Sequence, residues 1–100
     1  MKHFVLIYNY VEDYMARRDA YRAEHLARIR AEVEAGRILA AGVLPEGLRA
    51  LLICYADSSD AVRAFALGDP YYKAGLIASF EVSDWMVAAG VPQLVQPAAR

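Results

Sequence analysis

The sequence predicts one small α+β domain in which two helices cover a four-stranded antiparallel sheet. Short runs of β-branched and aromatic residues alternate with helical segments in the order β-α-β-β-α-β. The 100 residues suit a single domain, with a core over residues 2–87 and an irregular tail over residues 88–100. Hydrophobic residues make up 58% of the chain and charged residues 23%, which favours burial against a second copy in a homodimer.

The first strand and the first helix are the clearest elements. Residues 4–8 (Phe-Val-Leu-Ile-Tyr) are β-branched and aromatic and precede the breaker Asn9, so we expect a buried strand there. Residues 12–35 contain many strong helix formers and neither Gly nor Pro. Asp13 is a candidate N-cap of this helix, and Gly36 suits the position just after its C-terminus.

A hairpin follows the first helix. Residues 38–41 and 50–55 are apolar runs, and the sequence Leu-Pro-Glu-Gly at residues 44–47 separates them. Two strands joined by a short turn rich in Pro and Gly predict an antiparallel hairpin.

The second half of the chain supplies one more helix and one more strand. The Asp-Ser-Ser sequence at residues 57–59 offers caps for a helix that ends at Gly68. Residues 69–75 then form a loop or short turn, and residues 76–87 alternate as a last strand, with Ile77 and Phe80 on opposite faces. The resulting βαββαβ order is that of a ferredoxin-like fold, whose sheet has one face left for a partner to cover.

Charge and composition exclude several classes of function. A formal net charge of −1 gives no basic surface for nucleic acid or anionic membranes. We find neither a run of ~18 apolar residues nor a signal peptide, and therefore expect a cytoplasmic protein. The single Cys54 excludes an internal disulfide and is interpreted as a small buried hydrophobe. The sequence offers no convincing cluster of metal ligands, and His3 at the chain start could face solvent rather than join His25, so we expect no metal; we also expect no cofactor.

The first helix carries the functional signal on its inward face. Three apolar residues at helical spacing define the core face of its second half: Leu26, Ile29 and Val33. Toward the N-terminus the same stripe contains Arg22 and Arg18, with His25 on its flank. Because unpaired buried polar groups cost about 1–3 kcal/mol each, this end either overhangs into solvent or lines a wet pocket.

His25 needs a carboxylate partner to fix its tautomer and stabilise its charged form. Asp69 is the candidate, since it stands alone between Gly68 and Pro70 after the second helix. An Asp before Pro is also a common turn or cap residue, and sequence spacing leaves both interpretations open.

These segments resemble the YCII-related domain family. The matching motifs are R-x-x-H-L at residues 22–26, A-G-x-x-x-x-A-G at residues 35–42 and D-P-Y-x-x-A-G at residues 69–75, within a similarity over about residues 2–87. The resemblance implies a dimeric α+β barrel and a His–Asp dyad, here His25 and Asp69, in a pocket between sheet and helices. It also implies chemistry on aromatic degradation products, such as dehydrochlorination of a chlorinated hydroxyquinol, in a fold similar to that of muconolactone isomerase.

We therefore expect a small lyase- or isomerase-like enzyme that transfers protons on a small cyclic or enolisable, anionic compound. His25 is the expected general base and Asp69 its orienting partner. Arg22, Arg18 and Tyr8 are the expected substrate-binding residues. Two alternatives stay open: a non-catalytic dimeric binding or interaction module, and, on fold analogy alone, a haem-degrading or quinol-oxidising monooxygenase.

Overall fold

The computed structural model describes residues 1–44 and 48–97. The strands are β1 (Lys2–Tyr10), β2 (Ile38–Val43), β3 (Arg49–Ala56) and β4 (Ile77–Asp84). The helices are α1 (Tyr14–Arg17), α2 (Asp19–Glu34), α3 (Ser59–Leu67), α4 (Pro70–Lys73) and α5 (Pro92–Val95). Most of the turn predicted at residues 44–47 lies outside the described residues.

The four strands form one antiparallel sheet in the order β2-β3-β1-β4. The two central strands, β1 and β3, align Phe4 with Cys54 and Tyr8 with Ala50. The predicted hairpin is present, since β2 pairs with β3 and Val43 lies opposite Ala50. The ferredoxin-like α+β prediction is therefore confirmed.

The core lies between the helices and one face of the sheet. On β1 the side chains of Phe4, Leu6, Tyr8 and Tyr10 are all buried, whereas the residues between them are only partly covered. Such alternation follows because successive side chains of a strand point to opposite faces. Cys54 on β3 is buried as predicted, and burial raises the pKa of its thiol to about 12.

The last strand is shorter and less regular than predicted. A register shift in its pairing with β1 places Asn9 opposite Ser79 but Tyr10 opposite Ile77, which leaves Ala78 as an extra residue. Ile77 is buried, and Phe80 also packs against the core. The prediction that these two residues occupy opposite faces is therefore wrong, because a bulge changes the phase of the alternation.

The first helical segment is divided. The predicted single helix over residues 12–35 is wrong: Arg18 separates α1 from α2, and its backbone N–H donates to the carbonyl of Tyr14. Asp13 precedes α1 without a side-chain capping bond and instead accepts from Arg17 Nη1 at 3.4 Å. Gly36 ends the segment as predicted, with a φ of 79° that favours glycine.

The rotation of α2 about its axis also differs from the prediction. Val33 is 43% exposed and Leu26 only half-buried, so these two residues do not define the core face. His25 is instead the buried residue of α2, and Ile29 packs beside the core. The physical reason is a hydrogen bond from His25 to Asp69 before α4, which turns this side of the helix inward.

The tail contains one short helix, α5, where the sequence predicted irregular structure. His3 Nε2 donates to the carbonyl of Leu94 at 2.6 Å, and the His3 ring also contacts Tyr55 and Trp85. The hydrogen bond to Leu94 connects the tail to the start of β1. Within the described residues, no helix has the length and apolar character needed to cross a membrane.

Candidate active site

A cavity of about 130 Å³ lies between α2 and the sheet. Its polar lining consists of Tyr8, Tyr10, Tyr14, Tyr71, Arg18, Arg22 and His25. Its remaining lining is made of aliphatic side chains and backbone of α2, β2 and β3, among them Ile29 and Leu52. A cavity of about 150 Å³ is large enough to hold benzene, so this volume matches one small ring.

Asp69 is the centre of the hydrogen-bond network beside this cavity. Its side chain is 1% exposed, and its two oxygens accept from three donors. The backbone N–H of Tyr71 donates to Oδ1 at 2.9 Å, His25 Nδ1 lies 2.8 Å from the same oxygen, and the Tyr8 hydroxyl donates to Oδ2 at 2.9 Å. Because all three partners donate, the Asp69 side chain acts as an acceptor, which is the role of an ionised carboxylate.

The local sequence explains why Asp69 is held in place. Pro70 occupies the first turn of α4, where its missing N–H costs nothing, and Asp69 is the extended N-cap residue. The two interpretations of Asp69 that the sequence left open are therefore both correct geometrically. One carboxylate caps α4 and contacts His25 at the same time.

The contact with Asp69 determines which His25 nitrogen carries the proton. Nδ1 faces a carboxylate that only accepts, so Nδ1 carries hydrogen and donates. Nε2 then holds a lone pair, and no group in the described part of the chain hydrogen-bonds it. Because His25 lines the cavity, this lone pair is available to a molecule bound there.

Tyr71 fixes the plane of the imidazole. Its ring stacks on His25 with centroids 3.7 Å apart and an interplanar angle of 6°. Tyr14 contacts Tyr71 edge-on and stacks on Tyr10 at 3.8 Å. Tyr8 was predicted to belong to the site but Tyr71 was not, although Tyr71 follows the Asp-Pro pair directly and so lies close to Asp69 in the sequence.

Tyr8 supports the dyad through its hydroxyl. Burial, followed by the charge of Asp69, raises the pKa of Tyr8 far above its ordinary value. The hydroxyl therefore stays protonated and donates to Asp69. The hydroxyl of Tyr8 is thus engaged by Asp69, while the residue also lines the cavity.

Arg18 and Arg22, the two arginines predicted to bind substrate, both line the cavity. Neither is central to the buried face of α2: Arg22 is exposed and Arg18 is half-buried. Arg18 Nη1 donates to the Tyr14 hydroxyl at 3.4 Å, and its guanidinium carbon lies 5.6 Å from the centre of that ring. The two guanidinium groups make the cavity suitable for an anion.

The chemistry available at this site is acid–base chemistry. An imidazole with a free Nε2 can remove a proton from a bound molecule, and Asp69 stabilises the cation that results. Across residues 1–44 and 48–97, no group of three or more His, Cys, Asp and Glu side chains is arranged to hold a metal ion.

The chain belongs to the YCII-related domain family, whose sequence model matches residues 1–86. The resemblance noted from the three sequence motifs is therefore confirmed. No curated protein sequence matches the chain.

Solved structures with the same fold include an enzyme. It is a 5-chloro-2-hydroxyhydroquinone dehydrochlorinase from Burkholderia phenoliruptrix AC1100, in complex with 2,5-dihydroxybenzoquinone. The similarity has a TM-score of 0.73 and 26% sequence identity, and it covers 84% of this chain and 93% of that one.

Two further structures share the fold alone. One is a putative antibiotic biosynthesis monooxygenase from Deinococcus radiodurans, with a TM-score of 0.55 and 11% identity over 91% of this chain and 96% of that one. The other is an uncharacterized NIPSNAP domain protein from Burkholderia xenovorans, with a TM-score of 0.54 and 16% identity over 92% and 99%.

Proposed function

We propose that this protein is a small lyase- or isomerase-like enzyme that moves protons on an anionic, hydroxylated ring compound. One observation carries the proposal: buried Asp69 orients His25 so that a free Nε2 adjoins a ring-sized cavity. The family membership and the similarity to a dehydrochlorinase support the same class of reaction. Arg22 and Arg18 supply the positive charge that favours an anion.

The proposed step starts from the keto tautomer of a chlorinated, hydroxylated ring. His25 Nε2 takes the proton of a ring hydroxyl, and the electron pair of that O–H bond forms a carbonyl. The neighbouring ring double bond shifts toward the carbon that carries chlorine, and chloride leaves with the C–Cl electron pair. The products are the dehydrochlorinated ring, chloride and a proton on His25, so the step needs no oxidant or reductant. Asp69 stabilises the imidazolium formed in this step.

The test is chloride release from 5-chloro-2-hydroxyhydroquinone. Replacing His25→Asn removes the proposed base and is expected to lower the rate by about 10²–10⁴-fold. The matched control is His3→Asn, because His3 contacts the tail rather than the cavity and its loss leaves the site intact. Equal rates for His25→Asn and the wild type would contradict the role of His25. Binding of the ring without any turnover would favour the non-catalytic module.

We further propose that a second copy covers the open face of the sheet. The residues of β1 and β3 that point away from the helices are apolar and only half-buried, as Val5, Ile7, Leu51 and Ile53 are. This face has an open groove of about 330 Å³, and the described residues that line it belong to the β2–β3 hairpin. Apolar surface of this kind favours association.

On the charge balance, we propose no nucleic-acid or membrane partner and a cytoplasmic location.

Light scattering tests the dimer. Ile53→Glu places a charge on the open face and is expected to convert a two-chain species into a single chain. Leu67→Glu is the control, since Leu67 is 49% exposed on α3 on the other side of the sheet. A wild-type protein that stays a single chain at high concentration would contradict this proposal.

A further inference from the structure

Two polar atoms that belong to side chains lining the cavity are buried without a hydrogen-bond partner. Neither the Tyr71 hydroxyl nor Arg18 Nε has a hydrogen-bond partner among the described residues. Both side chains line the cavity, and Tyr71 as a whole is only 1% exposed. Buried polar groups are almost always paired, and leaving one unpaired costs stability. Each of the two groups therefore keeps a donor that no hydrogen bond of good geometry within the described residues uses, and a bound molecule can accept from it.

The chemistry of the two atoms defines that partner. An arginine Nε–H donates and cannot accept, and a tyrosine hydroxyl can donate in the same direction. Arg18 forms no salt bridge with a carboxylate in the described ranges, and Asp69 already accepts from Tyr8, His25 and Tyr71. Among the described residues no carboxylate therefore lies within ion-pair distance of Arg18, and a ligand oxygen that carries negative charge suits donors of this kind.

The shared contacts of the two side chains place them on one wall of the cavity. Arg18 donates to the Tyr14 hydroxyl, and Tyr14 contacts Tyr71 edge-on with centroids 5.7 Å apart. Tyr71 in turn stacks on His25. The two donors are thus close to His25. They make no hydrogen bond with it, because His25 makes its hydrogen bonds to Asp69.

We propose that Tyr71 and Arg18 form an oxyanion subsite that binds a second, negatively charged oxygen of the ring molecule whose proton His25 removes. The inference rests on the proposed function and narrows its substrate class to rings with two oxygens, one at His25 and one at the subsite. Tyr71 serves there as a positioning and specificity residue through its hydroxyl, while its ring holds the imidazole. A neutral ring with no such oxygen leaves the two donors unpaired and binds weakly.

Binding of 4-nitrocatechol tests the subsite, because the coloured anion of this ring reports its own ionisation by absorbance. Tyr71→Phe keeps the ring stacked on His25 and removes only the hydroxyl. We expect roughly 10- to 100-fold weaker binding of the nitrocatechol anion, which corresponds to losing one hydrogen bond to a charged group. We also expect the bound probe to ionise at a higher pH than in the wild type. Nitrobenzene, which has no ionisable oxygen, should bind both proteins equally.

Two further variants separate the subsite from general damage. Arg18→Lys keeps the positive charge but removes the Nε donor, and it is expected to weaken nitrocatechol binding without changing nitrobenzene binding. Tyr72→Phe is the matched control, since Tyr72 lies on the same helix α4 but contacts Phe80 instead of the cavity. Tyr72→Phe should bind both probes like the wild type.

The outcomes distinguish this inference from the function on which it rests. If the wild type binds nitrocatechol and Tyr71→Phe binds it equally well, with unchanged ionisation, the subsite is refuted while the ring-binding function stands. If Tyr71→Phe loses affinity equally for both probes, its role is structural and the subsite is also refuted. If the wild type binds neither ring, the proposed function and the subsite fail together.

Discussion

Replacing Asp69 with Asn removes the charge at the centre of the network while keeping the shape of the side chain. The single amide oxygen can still accept from two of the three donors, His25, Tyr8 and the Tyr71 backbone, but the third donor then faces an NH₂ group. Hydrogen bonds to charged groups contribute about 1.5–3 kcal/mol and neutral bonds about 1 kcal/mol. One bond is lost and two are weakened, and the lower cost of burying an amide offsets part of this loss.

We therefore expect Asp69→Asn to lower the free energy of unfolding by about 2–4 kcal/mol. Each kcal/mol lowers the Tm of a domain of this size by roughly 4–8 °C, so the Tm should fall by at least about 8 °C. Urea denaturation at neutral pH, followed by circular dichroism, measures the change. Asp84→Asn is the control, since the ion pair of Asp84 with Lys2 is mostly exposed and contributes little. An Asp69→Asn protein within about 0.5 kcal/mol of the wild type would refute the three-donor network.

Three further changes test the network and the fold. Tyr8→Phe deletes one donor to Asp69, and urea denaturation should show a loss of about 1–2 kcal/mol; no loss would mean that the hydroxyl does not bond the carboxylate. Ser58→Ala removes the side-chain cap of α3 and should cost about 1 kcal/mol in the same assay, whereas Ser59→Ala should cost less. Burial raises the pKa of Tyr71 from 10.0 to about 12 and that of Cys54 from 9.0 to about 12. The folded state holds these protons more tightly than the unfolded state. The free energy of unfolding is therefore constant below about pH 9 and falls as the pH rises toward 12. A flat profile of the unfolding free energy over this range would contradict the burial of both groups.

The regular part of the fold could be predicted because it depends on local pattern. Alternation along β1, the helix formers of α2 and the stop at Gly36 are each encoded within a few residues. The bulge at Ala78 could not be predicted, since a pairing shift between two distant strands changes the phase of the alternation.

The candidate site was predicted only in outline, because it also depends on contacts between segments that are far apart in the sequence. His25 and Asp69 are 44 residues apart in sequence, so their contact became an expectation only through the family motifs. That contact also sets the rotation of α2. Helical periodicity alone placed Val33 on the core face, whereas Val33 is 43% exposed and His25 is buried. The unpaired hydroxyl of Tyr71 depends on side-chain packing and has no signature in the sequence.

A long-range proton–nitrogen NMR spectrum of nitrogen-15-labelled protein tests most directly whether Asp69 holds His25 with Nε2 free toward the cavity. The spectrum distinguishes the two imidazole tautomers, and His3→Asn assigns the signals. We expect His25 in mildly alkaline buffer to carry its proton on Nδ1, and its Nε2 signal to shift when a hydroxylated ring is added. A proton on Nε2, or a His25 signal that no ring compound shifts, would contradict the proposed role of His25 as the base.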